Sequence, residues 1–168
     1  FLVNWTTELD TISGIAFYEV SLGTTSGDSN QVNWLKLDTL SYTYSSSLML
    51  NNLNLDNNNK YFASVRVTDK AGNVSALMTG DGITIDLLPP SAGTLNDGLG
   101  VDIAYTSSIT SLSGNWTGFI DATSGVNEYH YAIGTTVNGT EVKNWTNNGM
   151  DTLFTYTGYE LLNNQAYY

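Results

Sequence analysis

Residues 115–136 read NWTGFIDATSGVNEYHYAIGTT, and residues 4–25 read NWTTELDTISGIAFYEVSLGTT. Laid together without a gap, 111 residues apart, the two stretches agree at ten of 22 positions: Asn, Trp, Thr, Asp, Ser, Gly, Tyr, Gly, Thr and Thr. Leu9/Ile120 and Leu22/Ile133 differ only in branching, and Ile15/Val126 by one methylene. Self-similarity at a fixed spacing marks a structural unit built more than once, so the chain reads as a tandem array.

Asn33-Trp34 and Asn144-Trp145 keep the 111-residue spacing, whereas Leu55-x5-Tyr61 and Leu161-x5-Tyr167 are 106 apart; one surface loop is therefore five residues shorter in the second copy. Residues 91–111 precede the second repeat with no counterpart before Phe1, and residues 63–88 follow Tyr61-Phe62 where the second copy reaches Tyr168. The register predicts two modules, 1–90 and 91–168, the first without its opening strand and the second without its last two, as a window on a longer polypeptide.

Within each copy the pattern has a period of two. Phe1, Val3 and Trp5 alternate with Leu2 and Asn4, and Leu112 and Trp116 hold the matching places, which predicts a half-buried strand anchored by its Trp. Asp10 with Ser13-Gly14, and Asp121 with Ser124-Gly125, read as turns. Tyr18, Val20 and Leu22 then share a face, as do Tyr129, Tyr131 and Ile133, with Gly23 and Gly134 ending the strand. Further strands are expected over residues 32–37, 40–50 and 61–67, the last with Tyr61, Ala63, Val65 and Val67 on one face. Residues 69–73 form a hairpin turn, and 74–78 with 83–85 return. Pro89-Pro90 closes that strand, because proline cannot donate to a ladder, and the Gly, Ser, Asn and Asp of residues 91–100 mark the module boundary. No stretch sustains a helical apolar period, so the chain is all-β. The expected core is Trp5, Tyr18, Val20, Leu22, Leu55, Tyr61, Val65 and Val67 in the first module, and Trp116, Tyr129, Tyr131, Ile133, Leu161 and Tyr167 in the second.

Composition narrows the function. Five Lys and Arg against 16 Asp and Glu give a net charge of −11, which repels a nucleic-acid backbone or an anionic membrane surface. Charged residues make up only 12% of the chain, so Asn, Thr, Ser and Gly hydrate its surface, as suits an extracellular location. Zero cysteines exclude disulfides, thiolate catalysis and cysteine-ligated zinc. No run approaches the roughly 18 apolar residues of a membrane span.

The candidate sites are few. His130, the single histidine, alternates with Tyr129 and Tyr131 and so faces solvent; with no Cys and one His, neither a zinc site nor a nucleophile–base pair can be assembled from familiar parts. Asp10 and Asp121 recur, but a pair for glycoside hydrolysis needs two acids across one cleft, and a recurring turn Asp is more simply a loop stabiliser. Calcium at the interdomain linker could draw on Asp86, Asp97, Asp102 and Asp121, although no Asp-x-Asp-x-Asp spacing is present and solvated loops explain them as well. Trp34 and Trp145 each follow an Asn on a short strand, where an indole can stack on a sugar ring or, more plainly, cover the edge of the fold.

Taken together, Trp5/Trp116, Tyr18-Glu-Val20 and Tyr129-His-Tyr131, the two Leu-x5-Tyr pairs, Asp69-Lys-Ala-Gly-Asn-Val-Ser75 and Asp86-Leu-Leu-Pro-Pro90 resemble fibronectin type III modules in the bacterial version that shades into Ig-like repeats. The resemblance covers nearly the whole chain. It implies tandem Greek-key β-sandwiches of two antiparallel sheets, with the Tyr of each Leu-x5-Tyr pair forming a corner whose hydroxyl bonds to nearby backbone.

The resemblance further implies a non-catalytic structural repeat, a stalk or spacer, of a large secreted bacterial cell-surface adhesin or filament, such as those of gliding motility. Its partners would be neighbouring modules of the same long chain, surface glycans or other cell-surface proteins. The alternative is an accessory carbohydrate-binding or spacer module of a secreted polysaccharide-degrading enzyme. Asp10-Thr11-Ile12, Asp38-Thr39-Leu40 and Asp151-Thr152-Leu153 resemble the Asp-(Ser/Thr)-aliphatic signal for bacterial O-glycosylation, which makes Thr11, Thr39 and Thr152 candidate sites. Asn4, Asn73, Asn115, Asn138 and Asn144 head Asn-x-Ser/Thr triplets, which arise readily by chance in so Asn- and Thr-rich a chain.

Overall fold

The computed structural model of the chain describes residues 1–6, 10–38 and 47–168. Every regular element among them is a β-strand, arranged in several antiparallel sheets, as a β-sandwich requires. They fall into two compact units, Phe1–Leu87 and Leu88–Tyr168.

The first unit contains β1 (Leu2–Asn4), β2 (Ile15–Gly23), β3 (Val32–Asp38), β4 (Ser47–Met49), β5 (Lys60–Asp69), β6 (Met78–Thr79) and β7 (Ile83–Thr84). β1 pairs with β4, while a second sheet runs β3-β2-β5-β6 with β7 also on β5. Alternation places Tyr18, Val20 and Leu22 of β2 and Tyr61 and Val65 of β5 in a buried cluster with Val3, Trp5, Leu37 and Leu50. The Trp5 and Tyr18 rings meet at 5.7 Å. Leu55 and Val67, expected to be core, are only half-buried, Leu55 in the connection before β5 and Val67 near its exit to the turn. That turn closes with the Asp69 N–H donating to the Asn73 carbonyl at 3.0 Å. The return after it is broken into a bridge at Val74 and the two short strands β6 and β7. Of the strand expected over residues 40–50, only β4 lies within the described residues.

The second unit contains β8 (Thr94–Asp97), β9 (Ser111–Thr117), β10 (Tyr129–Ile133), β11 (Lys143–Gly149) and β12 (Leu153–Thr157). Several of its strand pairings fall at positions matching those of the first unit. Asn4 pairs with Ser47 and Asn115 with Leu153; Val20 with Leu35 and Tyr131 with Thr146; Leu22 with Val32 and Ile133 with Lys143. Both hairpins carry a register shift at the same step, Val20/Leu22 and Tyr131/Ile133. The five-residue difference falls between β3 and β4, where eight residues intervene against three between β11 and β12. The units also differ: the β10–β11 hairpin has a further register shift at Tyr129/His130 that the β2–β3 hairpin lacks. β8 adds to β9, a place with no counterpart on β1 among the described residues, and β2 lies between β3 and β5 whereas β10 pairs with β11.

The glycine closing β2 and that closing β10 serve a close approach. A Cβ on Gly23 would lie 2.6 Å from the Asp28 carbonyl carbon, and one on Gly134 would lie 2.4 Å from that of Gly139. In both units the following loop folds back so tightly that only hydrogen fits beneath it. That loop also buries Ser21, whose hydroxyl donates to the Asp28 carbonyl at 3.3 Å. Ser64, opposite Ser21 on β5, is likewise buried and shares a 2.9 Å hydrogen bond with Thr79.

Candidate functional site

The outer face of the β3-β2-β5 sheet carries crossed charge and aromatic pairs. Glu19 sits opposite Lys36 on one side and Arg66 on the other. The Arg66 Nε donates to Glu19 Oε2 at 2.7 Å, and its guanidinium lies 4.3 Å from the centroid of Trp34. The Lys36 ammonium lies 3.7 Å from the Phe17 centroid. Trp34 is thus half-buried under a cation that a carboxylate holds in place, which is edge cover rather than an open stacking platform.

Trp145 occupies the equivalent place on β11 and is 64% exposed. Around it the polar pairs differ. His130, in place of Glu19, bonds Glu128 at 2.9 Å, and Asn147 Nδ2 donates to Glu128 Oε2 at 2.6 Å. The bond from His130, then that from Asn147, holds the Glu128 carboxyl below its ordinary pKa. His130 is exposed on the strand's outer face. In both units the Asn before the Trp accepts from the Trp amide, at 2.9 Å from Asn33 and 2.8 Å from Asn144.

The recurring aspartates are loop stabilisers. Asp10 accepts from the Ile12 and Ser13 amides and the Ser13 hydroxyl; Asp121 accepts from the amides of Thr123, Ser124 and Gly125. The Ser13 hydroxyl chiefly lowers the pKa of Asp10, and the Ser124 amide that of Asp121. With their oxygens facing their own loops, these are Asx turns. Of the residues weighed for calcium, Asp86 belongs to the first unit and Asp97, Asp102 and Asp121 to the second. Asp102 accepts from the Asp97 amide at 2.9 Å, and among the described residues no three acidic or His side chains gather as a metal site.

Thr11 is exposed on the Asp10 turn beside Ile12, and Thr152 is exposed before β12 with its carbonyl accepting from the Trp116 amide at 2.9 Å. Thr39 lies outside the described residues. Asn115 uses its amide nitrogen to donate to the Gly98 and Gly100 carbonyls at 2.9 and 2.8 Å, which ties it into the β8–β9 corner.

The hydroxyl of Tyr61 accepts from the Asp56 amide at 2.9 Å, and that of Tyr167 accepts from the Leu162 amide at 2.9 Å. The hydroxyl bond implied for each Leu-x5-Tyr pair is therefore made twice, at equivalent positions.

A second feature escaped the sequence. In the second unit an apolar groove of about 1200 Å³ is lined by Leu95, Trp116, Tyr129, Tyr131, Phe154 and Leu161 among others. Tyr131 stacks on Phe154 at 4.2 Å and Trp116 meets Tyr129 edge-on at 5.5 Å. Tyr129, Tyr131 and Tyr167, expected to be core, are only half-buried because they border this groove. In the first unit β5 lies beside β2 and its Tyr61 and Val65 fill the equivalent space.

Compared with known proteins, the chain matches no protein-family model and has no significant similarity to a curated protein.

Proposed function

We propose that the chain is a non-catalytic structural repeat segment, a stalk or spacer, of a large secreted bacterial cell-surface protein of the adhesin or filament type. One observation carries it: a hairpin bulge and a loop closure recur 111 residues apart and a tyrosine hydroxyl bond 106 apart, on either side of one loop that differs by five residues. Repetition at that level of detail is what a protein needs when length rather than a reacting centre is its product, because each added unit extends reach by a fixed step. Fibronectin type III or Ig-like identity fits the paired tyrosine corners, and a gliding-motility adhesin fits the acidic, amide-rich surface. Neighbouring modules are then the main partners, with glycans or other surface proteins bound elsewhere on the parent. O-glycans on exposed Thr11 and Thr152, and on Thr39, would hydrate and protect such a stalk.

Antibodies raised against the chain test it on the native host. They should label intact cells, and brief surface proteolysis should remove the label; label appearing only after lysis would end the proposal. Glycopeptide mass spectrometry on the same material reports on the three threonines.

One observation favours a second reading, an accessory carbohydrate-binding module: Trp145 is exposed beside Glu128, His130 and Asn147. Saturable binding on a glycan array that disappears in Trp145→Ala would replace the spacer with that function.

A further inference from the structure

We propose that Asn138, followed by Gly139 on the loop closing the β10–β11 hairpin, is a self-modifying site whose carboxamide converts to a carboxylate with water as the only co-reactant. Asn-Gly is the pairing in which the next residue's amide nitrogen reaches the Asn side chain most freely, because glycine sets no Cβ in its path. The chain has two such pairs, Asn138-Gly139 and Asn148-Gly149, and by sequence they rank equally.

The fold separates them. Asn148 is half-buried, and its Nδ2 donates to the Asp151 carbonyl at 2.8 Å and to the Leu153 carbonyl at 3.0 Å. The nitrogen that would attack it, that of Gly149, donates to Asn147 Oδ1 at 2.6 Å. Asn138 is exposed, and its side chain makes no hydrogen bond among the described residues. The Gly139 amide is held by one turn bond, to the Thr136 carbonyl at 2.9 Å. Asn138 is at φ 61° where its first-unit counterpart, Gly27, is at φ 82°, so the turn needs a left-handed residue there. Gly27 has no carboxamide, which leaves the second unit alone with a reactive pair in this loop. For the ring to close, Asn138 must swing out of the left-handed region, a local opening that one bond in an exposed loop permits.

The chemistry balances without an oxidant or reductant. The Gly139 nitrogen gives up its proton and attacks Asn138 Cγ, the Cγ–Nδ2 bond breaks, and ammonia leaves with a proton from water. A five-membered succinimide remains. Water then opens it at Cγ to give aspartate, or at the Asn138 backbone carbonyl carbon to give isoaspartate. Either product adds a negative charge to a chain already at −11. Isoaspartate also routes the main chain through the side-chain Cβ, and this loop has no slack for it. Neither Gly134 nor Gly139 has room for even a Cβ, and Glu141 ties the loop by accepting from the Thr135 amide at 3.0 Å and the Thr136 hydroxyl at 3.1 Å. The lengthened loop therefore opens while the ladder beyond it stays paired.

The test incubates the full chain at mildly alkaline pH, in buffer and in urea, and follows both Asn-Gly peptides by mass spectrometry with separation of aspartate from isoaspartate. In buffer Asn138 should convert about tenfold or more faster than Asn148, and in urea the two rates should converge. Asn138→Gly should abolish conversion in its own peptide and leave the rate at Asn148 unchanged. In the isoaspartyl fraction the Thr135 and Val142 amides should exchange faster than in fresh protein. Equal rates in buffer, a faster Asn148 or an inert Asn138 overturns the proposal. A difference that persists in urea assigns the selectivity to neighbouring residues in sequence and overturns it as well, and unchanged exchange at Thr135 and Val142 overturns the opening of the loop.

Discussion

Arg66 reaches from β5 across β2 to lay its guanidinium on Trp34 of β3, 4.3 Å from the ring centroid, with Glu19 of the intervening strand holding its Nε at 2.7 Å. Three adjacent strands are thereby tied on their solvent side. A partly exposed cation–π contact and a partly exposed ion pair each contribute about 0.5 to 1 kcal/mol. Arg66→Ala should therefore lower unfolding free energy by about 1 to 2 kcal/mol, and a double-mutant cycle with Trp34→Ala should show about 0.5 kcal/mol or more of coupling. Coupling of zero in urea titrations would show that the stacking contributes nothing.

Trp5 is buried against Tyr18 at 5.7 Å, but its indole Nε1, like that of Trp116, has no acceptor among the described residues. Trp5→Ala should cost about 3 to 5 kcal/mol, as large-to-small core changes do. Trp5→Phe should cost much less, because it keeps a ring and removes a buried donor. Chemical denaturation of the two variants checks this, and equal losses would mean that the N–H is satisfied in solution.

The two tyrosine corners should respond unequally. Tyr61→Phe strips the Asp56 amide of its acceptor beside a fully buried ring, at a cost of about 1 to 2 kcal/mol. Tyr167→Phe removes the same bond where water can replace it, and should cost under about 0.5 kcal/mol. Local amide exchange at residues 56 and 162 separates the two effects.

Acid should weaken the fold through its capped turns. The pKa values of Asp10, Asp121 and Asp69 are lowered in the folded chain, by the Ser13 hydroxyl, the Ser124 amide and the Asn73 side chain respectively as the largest causes. A depressed folded pKa contributes stability that is complete above the ordinary aspartate range and is lost as pH falls through it toward the depressed value. The urea midpoint should hold steady near neutrality and drop below that range. Asp10→Asn with Asp121→Asn, which keeps an acceptor oxygen, should flatten the drop. A double variant with an unchanged slope would place the acid sensitivity elsewhere.

Much of this architecture was legible in the residues. The alternation of Tyr18, Val20 and Leu22, the Asp69–Asn73 turn and the Leu-x5-Tyr pairs are local patterns, and a strand's two faces follow from neighbours two apart. The repeat offset located matching strands without any tertiary information. Burial of Ser21 and Ser64 was not legible, because a serine facing outward on a strand reads as solvent-exposed until a returning loop or a neighbouring strand covers it.

The chain by itself determined that a β-rich pattern recurs and where its main strands and aromatic anchors lie, since each depends on residues close in sequence or on comparison of the chain with itself; it did not show β8, which lies in the segment read as a module boundary. Only the tertiary structure decided which of two equivalent tryptophans is covered. Arg66 is 32 residues from Trp34 and reaches it across an intervening strand, while Trp145, 64% exposed, stands on the β10–β11 hairpin. Cover and exposure are set by which strand lies alongside, a long-range relation that no local periodicity encodes.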